Sequence, residues 1–502
     1  MNTPTEDSLL AKTAKGAGWV IGFRLSTRLL GVASTLTLVR LLLPGDFGLI
    51  ALASSFAQTV DAVANLSVHE AIVRERAPDR AMYDTAFTMS LIRGLITAGV
   101  MVGASWPVAA FFREPRLPPV LLALAASSLI GAVENIATAD FLRTMAFRRE
   151  FQLWTLPRVL QVVGTIGFAL IWRSYWALVF GIVFGRVIRT AMSYAMYPFL
   201  PRLTLTAWRR IIGFTGWSWA IYMVAMVRDR TDTMLVGRFF SSTRVGIYAL
   251  GNEIAALPTS ELIDPLTRAC FPSFSQLHHS GQNVGQTYLR LLAASALFVL
   301  PAGMGIALVA DPLVKLAFGP LWLEAVPIIQ ILGISASIAA IGSLSMTLFS
   351  ACNMLRSTFA IMAVATVARI VLMVIFLPGG TLVTAASLSA LLGVSEQMAY
   401  ITLTMRRFDV PLRGLLRAVW RSVLSTLVMA AALFWLGLGF APVADAFARH
   451  LLTDATIGAA IYGAVVILTW TAAGCPDGPE RDVLTLLHSI GRKLGAMYWA
   501  RP

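Results

Sequence analysis

The chain has 502 residues, 57% of them hydrophobic and 13% charged, with a mean hydropathy of +0.74 and a formal net charge of +14. Soluble globular chains carry about 25% charged residues, so this composition suits lipid as the solvent. The basic residues lie scattered between apolar runs, which argues against a nucleic-acid interface, and Cys270, Cys352 and Cys475 stand far apart with no C-x-x-C, which excludes a disulfide framework and a thiolate metal site.

The first residues, 1–16, are polar, and the apolar run that follows is too long for a signal-peptide core. They are expected to form an uncleaved cytoplasmic tail. A membrane-spanning helix needs about 20 mostly apolar residues. On that criterion the chain predicts about fourteen spans, near 17–42, 47–66, 86–112, 117–142, 153–172, 174–199, 211–236, 245–268, 287–310, 322–349, 357–377, 381–405, 415–440 and 454–473. The eighth is the most polar, holding Glu253, Glu261, Asp264, Pro258 and Pro265. Such a segment is tolerated only where its polar side meets protein or water. The expected class is therefore an all-α, polytopic membrane protein.

The loops give its orientation. With the N-terminus inside, the cytoplasmic loops hold Arg74, Arg76 and Arg80, then Arg143, Arg148 and Arg149, then Arg202, Arg209 and Arg210, and later Arg406, Arg407 and Arg413. The opposite loops hold few basic residues, among them Arg113, Arg116, Arg173, Arg244 and Lys315. Cytoplasmic loops retain the positive residues, which predicts both termini inside. Two basic stretches, 405–420 and 481–499, have apolar residues at three- and four-residue intervals and read as helices lying on an anionic leaflet.

One turn is written twice. "VRLLLPGDFGLIALA" (39–53) and "GRFFSSTRVGIYALG" (237–251) align so that Arg40 meets Arg238, Gly48 meets Gly246, Ala51 meets Ala249 and Leu52 meets Leu250. In the same order, "PVAAFFREP" (107–115) and "PLVKLAFGP" (312–320) share their spaced prolines. Two landmarks in register predict two six-helix lobes related by pseudo-two-fold symmetry, 17–200 and 211–405. A cytoplasmic linker (201–210) joins them. Helices thirteen and fourteen (406–473) and an amphipathic cytoplasmic tail (474–502) follow. Pro44-Gly45-Asp46 breaks the first helix, with Asp46 placed to cap the next, while Arg40 and Arg238 can snorkel to phosphate. Parallel repeats of this kind are a transporter design, with the substrate site between the halves.

Charges inside spans cost about 2.5–3.5 kcal/mol each at a helix centre. At 1.5 Å per residue, Arg24 lies roughly 10 Å and Arg28 roughly 16 Å into the first helix, on one face by their i, i+4 spacing. Arg228 and Asp232 share that spacing in helix seven, with Arg230 facing elsewhere. Arg186 and Arg189 sit mid-helix in helix six, Arg93 in helix three, Arg369 in helix eleven and Glu396 in helix twelve, with Asp61, Glu134 and Glu253 as acidic partners. Arg369 with Glu396 reads as a packing pair. Buried Arg outnumbers buried acid, which implies an anionic ligand, and the planar guanidinium binds phosphate bidentately at any relevant pH. Arg24, Arg28, Arg186 and Arg230 are the candidate substrate-binding residues. Asp61, Arg228, Asp232, Glu253, Arg369 and Glu396 are candidates for ion coupling or structural pairing.

Catalytic signatures are missing. There is no G-x-x-x-x-G-K-[ST], H-E-x-x-H or G-x-S-x-G, "GAGWVIG" (16–22) opens a membrane helix instead of following a strand, and His278 and His279 fall in a polar loop. "NLS" at 65–67 matches a glycosylation sequon at a helix end. No catalytic residue, metal or cofactor is expected, and no enzyme.

The hairpin "VRLLLPGDFGLIALA", with "DTAFTMSL" (84–91), "YWALVFG" (175–181), "DTMLVGR" (232–238), "VGIYAL" (245–250) and "FGPLWLEAVPIIQILG" (318–333), resembles the polysaccharide transporter family. These are lipid-linked oligosaccharide flippases of the superfamily that also holds multidrug exporters and lipid II flippases. The resemblance covers nearly the whole chain. It implies a two-lobed helical bundle in the bacterial inner membrane that moves an undecaprenyl-diphosphate-linked repeat unit by alternating access, for exopolysaccharide or lipopolysaccharide synthesis. Membrane lipids and the polysaccharide polymerase and export machinery are the implied partners. Lipid II flippases use arginines on the first helix in a central cavity, a placement Arg24 and Arg28 match. Two alternatives stay open, an ion-coupled drug antiporter and a membrane enzyme acting on lipid-linked glycans.

Overall fold

The computed structural model describes residues 27–28, 30–64, 68–75, 78–144, 146–212, 216–440, 442–443 and 445–481. Among them all regular structure is helical. The first unit, which ends at Ile247, contains α1 (Leu30–Leu41), α2 (Pro44–Ala64), α3 (Val68–Arg74), α4 (Arg80–Phe112), α5 (Leu117–Ala132), α6 (Asp140–Arg143), α7 (Phe147–Trp172), α8 (Trp176–Met196), α9 (Trp208–Ile212) and α10 (Gly216–Phe239). α11 (Ser242–His279) carries the chain into the second unit. That unit adds α12 (Val284–Leu308), α13 (Ala310–Ala317), α14 (Ala325–Ala351), α15 (Leu355–Phe376), α16 (Leu382–Arg407), α17 (Leu412–Trp435) and α18 (Phe447–Ala472).

Among the described residues each of the fourteen expected spans falls on a helix. Ten described helices are long and apolar enough to cross a membrane; α5 and the turns after it, bent by 68°, form either a broken eleventh span or a re-entrant segment. The chain is a multi-pass membrane protein. Of the remaining spans, α10 and α11 are too polar to meet that test, and the first lies partly outside the described residues. Helices are what lipid requires, because every backbone N–H and C=O must be satisfied within the segment.

α11 is one helix of 38 residues, although it contains Pro258, Pro265 and Pro272. The prolines recur every seven residues, so the missing N–H bonds fall on one side and the helix can curve instead of breaking. His278 and His279, expected in a loop, form its last turn, and His279 Nδ1 lies 2.6 Å from the Ser275 carbonyl. The 405–420 stretch is likewise corrected. It is the end of α16, a turn at 408–411 and the first turns of the spanning helix α17. Pro411 stands just before α17, where its fixed φ and missing N–H suit a helix start. Arg24, the 65–67 sequon and most of the 481–499 tail lie outside the described residues.

The twice-written turn has a tertiary reason. α2 begins at Pro44, and Asp46 at its third position accepts a hydrogen bond from the Leu43 N–H (3.3 Å), so Asp46 caps from inside the helix. The start of α2 crosses the start of α11 at the matched glycines. A Cβ on Gly48 would sit 1.7 Å from the Ser242 carbonyl oxygen, and a Cβ on Gly246 would sit 1.9 Å from that of Pro44. The two copies of the motif pack on each other. Beside them Arg116 donates to Glu114 (2.8 Å) and to Ser242 (3.1 Å), and its hydrogen bonds hold the Glu114 carboxyl below its ordinary range. Arg238 lies 5.2 Å over the Phe111 ring.

The second unit is built around α12, α14 and α16, with Trp322, Tyr288 and Tyr400 fully buried. Both tyrosine hydroxyls are hydrogen-bonded: Tyr288 pairs with Ser345 at 2.8 Å, and Tyr400 donates to the Thr358 carbonyl at 3.0 Å.

Candidate functional site

The first unit holds a polar cavity of about 480 Å³ whose walls come from α2, α4, α5 and α8. Three helices present polar stripes at helical spacing. α2 supplies Ser54, Gln58 and Asp61, α4 supplies Ser90 and Arg93, and α8 supplies Arg186 and Arg189. On α2 and α8 the spacing of one and two turns puts these groups on one face of an otherwise apolar helix.

A break after α5 brings in the acid. Asn135, fully buried, interrupts the helix by making its bonds elsewhere: its N–H donates to Ser193 Oγ (3.1 Å) and its amide to the Ser193 and Tyr197 carbonyls (3.3 and 2.5 Å). The preceding residue, Glu134, is thereby held at the cavity wall. There it accepts a hydrogen bond from Arg189 Nε at 3.0 Å, while the Arg189 guanidinium stands 3.5 Å over the Trp154 ring of α7. Arg189 is therefore compensated on two sides, by a carboxylate and by a π face.

Arg186, one turn earlier, is different. It is half-buried and lies across α5 at Gly131, where a Cβ would come within 3.1 Å of its Cδ, Nε and Cζ. Among the described residues it takes no part in the hydrogen bonds and ion pairs that hold its neighbours. Arg93 approaches Asp61 at 4.0 Å. Arg230, on α10, donates to the cavity residue Gln58 at 2.5 Å. The cavity thus has an excess of positive charge, with three arginines on its walls and a fourth behind Gln58, against Asp61 and Glu134. An oxyanion with several acceptors, such as a phosphate, fits that chemistry.

The other candidates are dispersed. Arg28 is helical and half-buried just before α1, and is not among the residues lining this cavity. Arg228 pairs with its neighbour Asp229 at 3.0 Å, a partner that i, i+4 spacing does not foretell. Asp232 is half-buried on α10, and Glu253 is exposed on α11. In the second unit Glu396 is only 4% exposed, and Arg369 Nη2 lies against α16 one turn away, 3.6 Å from where a Gly393 Cβ would be. Trp154 and Gln58 have no signal in the sequence as single residues. The helical spacing of Ser54, Gln58 and Asp61 is the sequence pattern that could have pointed to a polar wall, and it went unused.

Removing one member of the Arg189–Glu134 pair should destabilise the fold, because it leaves a partly buried charge without its partner. Arg189→Ala is accordingly expected to lower the thermal unfolding temperature of the detergent-solubilised protein. The double change Arg189→Met with Glu134→Gln should recover most of the loss. Equal melting of wild type and Arg189→Ala would show that the pair contributes nothing.

Comparison with known proteins bears on this arrangement. A family model described as polysaccharide biosynthesis protein matches residues 37–327. The succinoglycan biosynthesis transport protein ExoT of Rhizobium meliloti (strain 1021) is 22% identical, over 98% of this chain and 97% of its own. The lipopolysaccharide biosynthesis protein WzxC of Escherichia coli (strain K12) is 20% identical, over 67% of this chain and 69% of its own. Among solved structures, the lipid II flippase MurJ in an inward closed conformation aligns with a TM-score of 0.73 at 12% identity, covering 90% of this chain and 99% of that one. An inward-facing multidrug resistance MATE family transporter of the MOP superfamily aligns with a TM-score of 0.60 at 14% identity, covering 79% and 95%. At these identities the structural likeness shows a shared fold.

Proposed function

From the premise that the chain belongs to the polysaccharide biosynthesis protein family, we propose that it is a flippase for a lipid-linked oligosaccharide. The substrate is a repeat unit carried on undecaprenyl diphosphate, moved across the bacterial inner membrane by alternating access for surface polysaccharide synthesis. The observation that carries this reading is the cationic cavity, with Arg186 uncompensated on its wall. A diphosphate carries the charge such a wall lacks, and two fork-like guanidinium contacts would hold it without a metal or a proton transfer. Arg230 reaches the same wall through Gln58, and Arg24 and Arg28 are proposed to add positive charge along the route. The Arg bias of the loops supports cytoplasmic termini. The polysaccharide polymerase and export machinery are the natural recipients of the flipped unit.

A drug antiporter shares the fold, but a wall with excess positive charge repels the organic cations such exporters take. The test is reconstitution in liposomes with a fluorescent oligosaccharide linked to undecaprenyl diphosphate, read by its accessibility to an impermeant quencher. The protein should speed exchange between leaflets with no nucleotide present, since no phosphate-binding loop exists to use one. Exchange no faster than in protein-free liposomes would reject the proposal, and strict dependence on ATP would reject its mechanism.

A further inference from the structure

The first unit has a second cavity, about 760 Å³, between α2 and α4. Val60 and Val63 of α2, Ile92, Ile96 and Val100 of α4, and Trp208 of α9 form its walls. Most of these side chains are widely exposed; Val63 is 50% and Ile96 54% accessible. Among the described residues the one charged group on its surface is Arg93, which also lines the polar cavity.

The helix geometry explains the double role. Along α4, Met89, Ile92, Ile96 and Val100 follow three- and four-residue steps and make an apolar stripe. Ser90 and Met101 look into the polar cavity on the adjoining face. Arg93 lies on the seam between the two faces. Its stem can follow the apolar stripe while the guanidinium stays on the polar side, near Asp61. One cation thus forms the shared wall of a cationic chamber and an apolar groove. The arrangement matches a molecule in which an anionic group is joined directly to a long hydrocarbon chain.

We propose that the α2–α4 groove receives the polyisoprenoid tail of the lipid whose anionic head enters the polar cavity, and that Arg93 binds the phosphate nearest the tail. This rests on the flippase reading, and it assigns to the tail a site which that reading leaves open. A tail bound to protein while the head crosses would keep the hydrocarbon out of the aqueous path. It would also make affinity depend on tail length, since a longer tail buries more apolar surface.

The experiment measures binding of undecaprenyl diphosphate and of farnesyl diphosphate to the full chain in nanodiscs. The variants are Ile96→Trp and Val63→Trp, which fill the groove from exposed positions, together with Arg93→Ala. A further variant, Ile467→Trp, fills the apolar cavity of the second unit, which lies between α12 and α18. Wild type should prefer the longer lipid at least tenfold. Ile96→Trp and Val63→Trp should each weaken undecaprenyl diphosphate at least tenfold and leave farnesyl diphosphate within twofold. Arg93→Ala should weaken both. The proposal is overturned if both groove-filling variants keep the wild-type preference, or if Ile467→Trp abolishes it. Failure of the flippase reading looks different: wild type would then bind neither diphosphate, and both ideas would fall together.

Discussion

Arg186→Ala is expected to abolish export of surface polysaccharide in a complementation assay, while the protein remains in the membrane at its normal amount. The two halves of that outcome come from one fact. Arg189 is tied to Glu134 at 3.0 Å and to the face of Trp154, so it stabilises the fold. Arg186 has no comparable partner among the described residues, and its guanidinium rests against α5 at Gly131. An arginine at the centre of a spanning helix costs about 2.5–3.5 kcal/mol. A charge maintained at that cost without a structural counter-ion is best explained by a ligand that supplies one. Deleting it should therefore leave stability unchanged or improved and remove ligand binding. Arg186→Lys should retain part of the activity, keeping the charge and losing the bidentate fork. Gly131→Ala offers a second test, because the new methyl would press on the guanidinium from 3.1 Å and displace it. It should lower export less than Arg186→Ala does. Normal export by Arg186→Ala at normal abundance would refute the cationic-cavity mechanism.

Gly48→Ala should have the largest effect on folding. Its Cβ would overlap the Ser242 carbonyl oxygen at 1.7 Å and the Gly246 nitrogen at 2.7 Å. These are backbone atoms at the start of a helix, so no rotamer change relieves the clash, and α2 or α11 must shift as a body. Overpacking that flexible side chains can absorb costs about 1–3 kcal/mol, and a backbone overlap should exceed that. Gly246→Ala should behave alike, because its Cβ meets Pro44 in the reciprocal way. The internal control is α4, where Gly99 and Gly103 have nothing within 4 Å of an added Cβ. Alanine there should be neutral or stabilising by about 0.5–1 kcal/mol, since glycine loses more backbone freedom in a helix. Membrane abundance by immunoblot and melting in detergent give the comparison. Should Gly48→Ala accumulate and melt like Gly103→Ala, the tight crossing does not exist in the protein.

Much of the architecture was legible before any coordinates. Among the described residues hydropathy located helices at the expected spans, because the bilayer fixes the length of an apolar run and forbids unsatisfied backbone. The same signal failed at 405–420. A basic helix on the membrane surface and the first turns of a spanning helix have the same alternation of arginine and leucine, and the chain's neighbours decide between them. It failed again at His278 and His279, read as a polar loop after a span ending near 268, where one helix continues to His279 because its three prolines share a side. The repeated turn was visible as Gly48 aligned with Gly246, but only folding shows why both are glycine, because the two positions meet each other.

The cationic site divides in the same way. Composition and depth named Arg93, Arg186, Arg189, Asp61 and Glu134 as charges that needed an explanation. Helical spacing could also have grouped Ser54, Gln58 and Asp61 on one face. Which arginine is paired and which is left for a ligand could not be read from spacing. Arg189 finds Glu134 fifty-five positions away, through a break in the chain that Asn135 sustains by bonds to α8. Local sequence determines which residues are charged, how deep they lie and which face of their own helix they share. The partner on another helix depends on how helices pack, and in this protein that packing gives Arg189 a carboxylate and an aromatic face and gives Arg186 neither among the described residues.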